Sequence, residues 1–193
     1  IYLYMKNIAF LGYDKTQTRL IEYIENRGIN VFNTSKKIKS LDKFDLVIIF
    51  GYRHILDEEL INTLHRPPIN LHISYLPYNK GAHPNFWAFI ENTPSGVTIH
   101  EVDKIIDSGD ICFQKEVRFP EYYDTFSKTY KYLVDQIEDL FISKIEEIFL
   151  RSYIPIPQKI YGTFHKTKDL PNWMNNWDMK ISEAVTRFKN QEK

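Results

Sequence analysis

Asn70 and His72 stand two residues apart in Asn70-Leu71-His72-Ile73, and a carboxylate, Asp107, follows in Ile106-Asp107-Ser108-Gly109-Asp110. On an extended strand, residues two apart project from one face. An amide can donate to a developing oxyanion, and an imidazole moves protons near neutral pH. A carboxylate beside the imidazole orients the ring, or a water, and stabilises the charged form. Together the three groups suit acyl transfer to an amine. Singly, each has a plainer use: Asn and His satisfy loop backbone groups, and an aspartate just before Gly109 closes a turn. Their occurrence together with Leu76-Pro77-Tyr78-Asn79-Lys80-Gly81 carries the chemical reading.

These residues need elements to hold them. Asn7 to Leu11 is a short apolar run before Gly12, the mark of a buried strand. Leu20, Ile21, Tyr23 and Ile24 recur at helical spacing, and Gly28 closes that helix. Val31-Phe32, Asp45 to Phe50 and Ile69 to Ile73 read as the next strands, with a short helix through Asp57 to Leu64. This alternation predicts an α/β, Rossmann-like fold: a mostly parallel sheet flanked by helices. A Pro/Gly-rich loop from Pro77 to Pro84 precedes a helix over Asn85 to Glu91. Strands follow over Gly96 to Val102 and Asp110 to Phe119. The longest helix spans Asp124 to Leu150, where Phe126, Tyr130, Leu133, Ile137, Phe141, Ile145 and Ile148 form one stripe behind Asp124 or Thr125 as cap. A catalytic domain over 1–150 and a C-terminal extension over 151–193 follow, the latter with a last short helix from about Asp178.

Composition narrows the function. Lys+Arg and Asp+Glu stand at 25 each, so no basic field argues for nucleic acid. The single Cys112 forms no internal disulfide, which suits a reducing, cytoplasmic setting. No Cys/His spacing suggests a zinc site, and no metal is expected. No apolar run approaches the ~20 residues of a membrane span. Ile1 to Tyr4 lacks the features of a secretory signal, and a chain beginning at Ile1 is expected to be incomplete or processed, with Met5 as a natural start. Gly12 opens no Gly-x-Gly-x-x-Gly, so no dinucleotide site is expected there.

Asn70-x-His72, Ser74-x-Leu76-Pro77-x-x-x-Gly81 and Ile106-Asp107-x-Gly109-Asp110, in that order, resemble the folate-dependent formyltransferases. The likeness covers roughly residues 6–150. Leu76 to Trp87 (Leu-Pro-Tyr-Asn-Lys-Gly-Ala-His-Pro-Asn-Phe-Trp) resembles the branch acting on nucleotide-linked amino sugars, as does Gly162 to Asp169. Ile73 stands where many tRNA and purine-pathway members carry proline.

That resemblance implies 10-formyltetrahydrofolate as donor and a nucleotide-linked 4-amino-4,6-dideoxy sugar as acceptor, with dTDP favoured as carrier over GDP or UDP, for surface polysaccharide such as O-antigen. It implies Asn70, His72 and Asp107 as the catalytic set. Phe50, Gly51, Arg53, Ile55 and Leu56 would hold the pterin, with backbone around Ile106; Phe50 serves equally well as core. Tyr78, Lys80, His83, Asn85, Phe86 and Trp87 would contact the sugar nucleotide. Lys80 there would neutralise a diphosphate, and Trp87 is equally a packing residue. His54, His65 and His100 are read as surface or strand-facing, and His83 belongs to the substrate loop. Tyr153, Tyr161, Trp173 and Trp177 allow a homodimer contact or a pocket wall. Formylation of glycinamide ribonucleotide is the second enzymatic reading, and hydrolysis of the donor a third. An inactive nucleotide-sugar binder would have no need of the proton-transfer set.

Overall fold

In the computed structural model, which describes residues 5–158 and 162–191, strands and helices alternate as the apolar pattern predicts. In chain order they are β1 (Asn7–Gly12), α1 (Leu20–Glu25), β2 (Asn30–Thr34), β3 (Leu46–Phe50), α2 (Glu58–Asn62), β4 (Ile69–His72), β5 (Lys80–Gly81), α3 (Pro84–Ile90), β6 (Gly96–Glu101), β7 (Ile111–Glu116), α4 (Phe126–Leu150), β8 (Phe164–His165) and α5 (Ile181–Gln191). Ile1 to Tyr4 and Tyr161 lie outside the described residues.

The main sheet has the order β2-β1-β3-β4-β6-β7. β2, β1, β3 and β4 pair in parallel, whereas β6 runs antiparallel to both β4 and β7. The expected mostly parallel sheet is therefore present, with one reversed strand. Period-two alternation divides β1 between two cores. Ile8 and Phe10 pack with Leu20, Ile24, Ile48 and the α4 residues Leu133, Ile137 and Phe141. Ala9 and Leu11 turn to the other face, with Leu41, Val47 and Leu56. Thr125 caps α4 by accepting a hydrogen bond from the Lys128 N–H, which settles the cap between the two candidates. A third cluster joins Phe86, Trp87 and Phe126 to Met174 and Ala184, so the C-terminal extension packs on α3 and α4.

The second sheet pairs β5 with β8 in parallel. Of the two, β5 lies inside the expected Pro77 to Pro84 loop. Two-residue strands carry no periodic signal, and their pairing joins Lys80 to Phe164, far along the chain. Gly109 shows why the turn after Asp107 needs glycine: a Cβ there would stand 1.8 Å from the Glu101 carbonyl oxygen. Among the described residues no helix is long and apolar enough to cross a membrane.

Candidate active site

The polar cluster forms where β4 meets reversed β6, at the carboxyl end of the parallel strands, where crevices open in wound sheets. Asn70 sits opposite His100 in the β4–β6 register. The Asn70 amide Nδ2 lies 3.0 Å from Asp107 Oδ1 and 3.0 Å from His100 Nε2. Asp107 Oδ2 accepts from the Gly81 backbone N–H at 2.8 Å. The same oxygen lies 3.7 Å from His72 Nε2, and Oδ1 lies 3.4 Å from His100 Nε2. Asn70, His72 and Asp107 are thus brought together, with the carboxylate turned toward both imidazoles.

Two backbone carbonyls assign the tautomers, because a carbonyl can only accept. His100 Nδ1 is 2.7 Å from the Glu101 oxygen and must carry its proton. In the neutral ring Nε2 then accepts from the Asn70 amide, and in the charged ring it turns a proton toward Asp107 Oδ1, 3.4 Å away. His72 Nε2 is 3.2 Å from the Asn79 oxygen and donates to it, which leaves Nδ1 as the proton acceptor of neutral His72. Burial would raise the Asp107 carboxyl, but the His72 and His100 rings and the Gly81 N–H outweigh it and hold the group below the usual carboxylate range. Burial lowers His72 below its ordinary value of 6.5, against the opposing pull of Asp107. At neutral pH the cluster therefore holds an ionised carboxylate beside an imidazole able to take a proton.

The backbone bends to reach this arrangement. Asn79, His83 and Asp107 all adopt left-handed φ values of 54°, 56° and 50°. Such conformations in non-glycine residues gather where surrounding structure enforces them, commonly at functional sites.

The remaining expected contacts divide by burial. Gly51, Arg53, Ile55 and Ile106 are exposed at the strand ends. Phe50 and Leu56 are not: Phe50 is 2% exposed and packs on Tyr13, and Leu56 belongs to the second core. The side chains of both therefore serve core packing, the alternative already open for Phe50. Phe86 is 0% exposed and packs against Phe126 and Trp173. Trp87 is buried and stacked on His165, with 4.0 Å between ring centroids. Asn85 is buried and ties α3 to α4 by donating to the Phe126 carbonyl and Thr129 Oγ1. Tyr78 and His83 remain half-buried in the loop, and His83 stacks on Trp177 with its Nε2 buried and unpartnered among the described residues. Lys80 turns inward: its ammonium donates to Ser108 Oγ at 3.0 Å, beside Asp107. A diphosphate would have to draw it away. The recess of about 550 Å³ on α5, lined by Ser182, Glu183, Thr186 and Arg187, holds none of the cluster residues.

His100 is the residue that sequence reasoning undervalued. It is strand-facing, as read, yet it is 1% exposed and bonded to the Asn70 amide. The alternation of Gly96 to Glu101 signals its strand, but only the antiparallel register sets it against Asn70. His100→Leu is expected to strand the Glu101 carbonyl and loosen the Asn70 amide. An unsatisfied buried acceptor costs about 1–3 kcal/mol, so thermal unfolding of the variant should show a loss of that size. Parent-like stability would remove His100 from the supporting network.

An α/β wound sheet with a part-buried amide–imidazole–carboxylate group at its switch in strand direction defines the class. The family profile described as formyl transferase matches residues 14–145, and the chain belongs to that family. It is 36% identical to the formyltransferase PseJ from Anoxybacillus kamchatkensis, solved in complex with UDP-4,6-dideoxy-4-formamido-L-AltNAc and tetrahydrofolate; the match covers 93% of this chain and 97% of that one, at a TM-score of 0.85. The dTDP-4-amino-4,6-dideoxyglucose formyltransferase of Mycobacterium tuberculosis strain H37Rv is 30% identical over 67% of this chain and 54% of the relative. A methionyl-tRNA formyltransferase of Thermodesulfovibrio yellowstonii is 34% identical over 79% of this chain and 50% of the relative. The chain spans about half the length of the curated relatives it matches.

Proposed function

We propose that this chain transfers the formyl group of 10-formyltetrahydrofolate to the amine of a nucleotide-linked 4-amino-4,6-dideoxy sugar. The observation that carries the reading is the Asp107 carboxylate, buried and held between Asn70, Gly81 and the two imidazoles. The likeness to PseJ over nearly the whole chain supports the acceptor class.

The amine nitrogen attacks the formyl carbon, and a tetrahedral intermediate carries the charge on oxygen. His72 takes the proton from the attacking nitrogen, directly or through water, and a proton returns to the departing folate nitrogen. The carbon–nitrogen bond to the folate then breaks. Asp107 stabilises the His72 imidazolium while it lasts. Asn70 supplies a donor to the oxyanion. Both its amide protons are engaged in this arrangement, and the one on His100 is redirected when the oxyanion forms. Exposed Ile55 and Ile106 offer apolar surface for a pterin, and exposed Arg53 a cation for an anionic substrate group.

The sequence favours a dTDP carrier and leaves GDP and UDP open. The UDP-linked sugar in the PseJ complex, at higher identity and coverage, supports UDP in its place. The reading also places the enzyme in the cytoplasm, in surface-polysaccharide synthesis, and as a homodimer; a single-chain mass in light scattering would contradict the dimer. Incubation with 10-formyltetrahydrofolate and separate amines tests the function. A UDP- or dTDP-linked amino sugar should release tetrahydrofolate quickly. Release with glycinamide ribonucleotide alone would move the chain to purine synthesis, and release without any amine would make it a hydrolase.

A further inference from the structure

We propose that Thr163, in the C-terminal extension, is a positioning residue that sets the proton-accepting face of His72 by holding Asn79, whose carbonyl that ring faces. The inference rests on formyl transfer as read above and concerns a segment well beyond the three reacting groups.

Two of those groups are anchored by main-chain atoms of one loop. His72 donates to the Asn79 carbonyl, and Asp107 accepts from the Gly81 N–H. Asn79 is 1% exposed and left-handed at φ 54°; asparagine enters that region more readily than most residues, but a buried backbone there has no solvent to satisfy it. Other groups must hold it. Thr163 does so twice: the Asn79 N–H donates to Thr163 Oγ1 at 2.8 Å, and Thr163 Oγ1 donates to Asn79 Oδ1 at 3.2 Å. The Asn79 amide then donates to Thr93 Oγ1 at 2.7 Å. One threonine hydroxyl thus closes a ring of hydrogen bonds around the residue that fixes the His72 tautomer.

Main-chain pairing brings Thr163 there. The Lys80 N–H donates to the Thr163 carbonyl at 2.9 Å and the Ala82 N–H to the His165 carbonyl at 2.8 Å. Gly162 permits the approach, since a Cβ there would lie 2.1 Å from the Pro77 carbonyl oxygen. On the other flank, Gln158 donates to the Asp107 and Gly109 carbonyls at 2.8 and 2.7 Å. The extension therefore grips the site from both sides, and Thr163 is the side chain that reaches toward the base.

Thr163→Val in the full chain removes the hydroxyl while keeping shape and the main-chain bonds of β8. Misplacing a reacting group by about 1 Å costs on the order of 10²-fold. We expect kcat to fall about tenfold or more, with KM for the amine within about twofold, and Thr163→Ser to recover most of kcat. Nitrogen-15 NMR of the imidazoles gives a readout free of turnover. In the parent, His72 should hold its proton at Nε2 and titrate below 6.5; in Thr163→Val it should show mixed tautomers and a midpoint moved toward 6.5. Should Thr163→Val fail to fold, Thr163→Ala is read in the same two ways. Unchanged kcat with an unchanged His72 tautomer overturns the proposal, as does equal loss in the Val and Ser variants. If the parent transfers no formyl group, the reaction reading fails, whereas the NMR result still decides the role of Thr163.

Discussion

His72→Asn is expected to lower turnover by about 10²–10⁴-fold, the usual worth of a positioned acid–base group, while the protein still unfolds cooperatively. Asparagine keeps a donor near the Asn79 carbonyl but has no nitrogen that takes up a proton near neutral pH. The pH profile separates this account from simple mispacking. Because burial lowers His72 from 6.5, the neutral ring prevails at and above that pH, so kcat/KM in the parent should lose its acid limb only below about 6.5. In His72→Asn that limb should vanish and leave a low, flatter profile. Steady-state rates between about pH 5 and pH 8, with thermal melts on the same samples, make the comparison. Turnover within a few-fold of the parent would end the assignment of His72 as the base.

Asp107→Asn should damage both rate and stability. Its carboxylate is the acceptor on which the Asn70 amide and the Gly81 N–H converge. A carboxamide keeps one acceptor and turns an NH₂ group onto the other donor. Hydrogen bonds to charged groups are worth about 1.5–3 kcal/mol each, so denaturant unfolding should show a loss in that range at pH 7. The sign follows from the direction of the shift. The folded-state value is depressed, so the stabilisation is complete above the unfolded value of about 3.9 and fades as pH falls through and below it. Parent and variant should therefore converge in acid. In turnover the loss should approach that of His72→Asn, since the imidazolium formed during reaction loses its counter-charge. A variant as stable as the parent at pH 7 would show that the carboxylate is not held as the geometry states.

The fold was legible wherever burial imposes a period. Asn7 to Leu11 and Asp45 to Phe50 are apolar because both faces of a central parallel strand are covered, and the long stripe from Phe126 to Ile148 follows from one helix lying across the sheet. Asn70 and His72 were legible for a similar reason, since two-residue spacing places them together once the strand is known. Asp107 could be joined to them only by the order of motifs, because its φ of 50° belongs to a loop without periodicity. Burial also explains why Phe50 sits in core: it shares strand parity with Ile48, and both face α4. His100 needed the antiparallel register. Thr163 was out of reach for a deeper reason, because its contact with Asn79 depends on a two-residue strand pair that no local pattern announces.

Carbon-13 placed in the formyl group of 10-formyltetrahydrofolate tests the central claim most directly. After incubation with the parent enzyme and a UDP-linked 4-amino-4,6-dideoxy sugar, the label should appear as a formamide on the sugar nitrogen, and His72→Asn should form it at least about 10²-fold more slowly. Label recovered as free formate, or formamide produced equally fast by both proteins, would contradict amine formylation at the Asn70, His72 and Asp107 cluster.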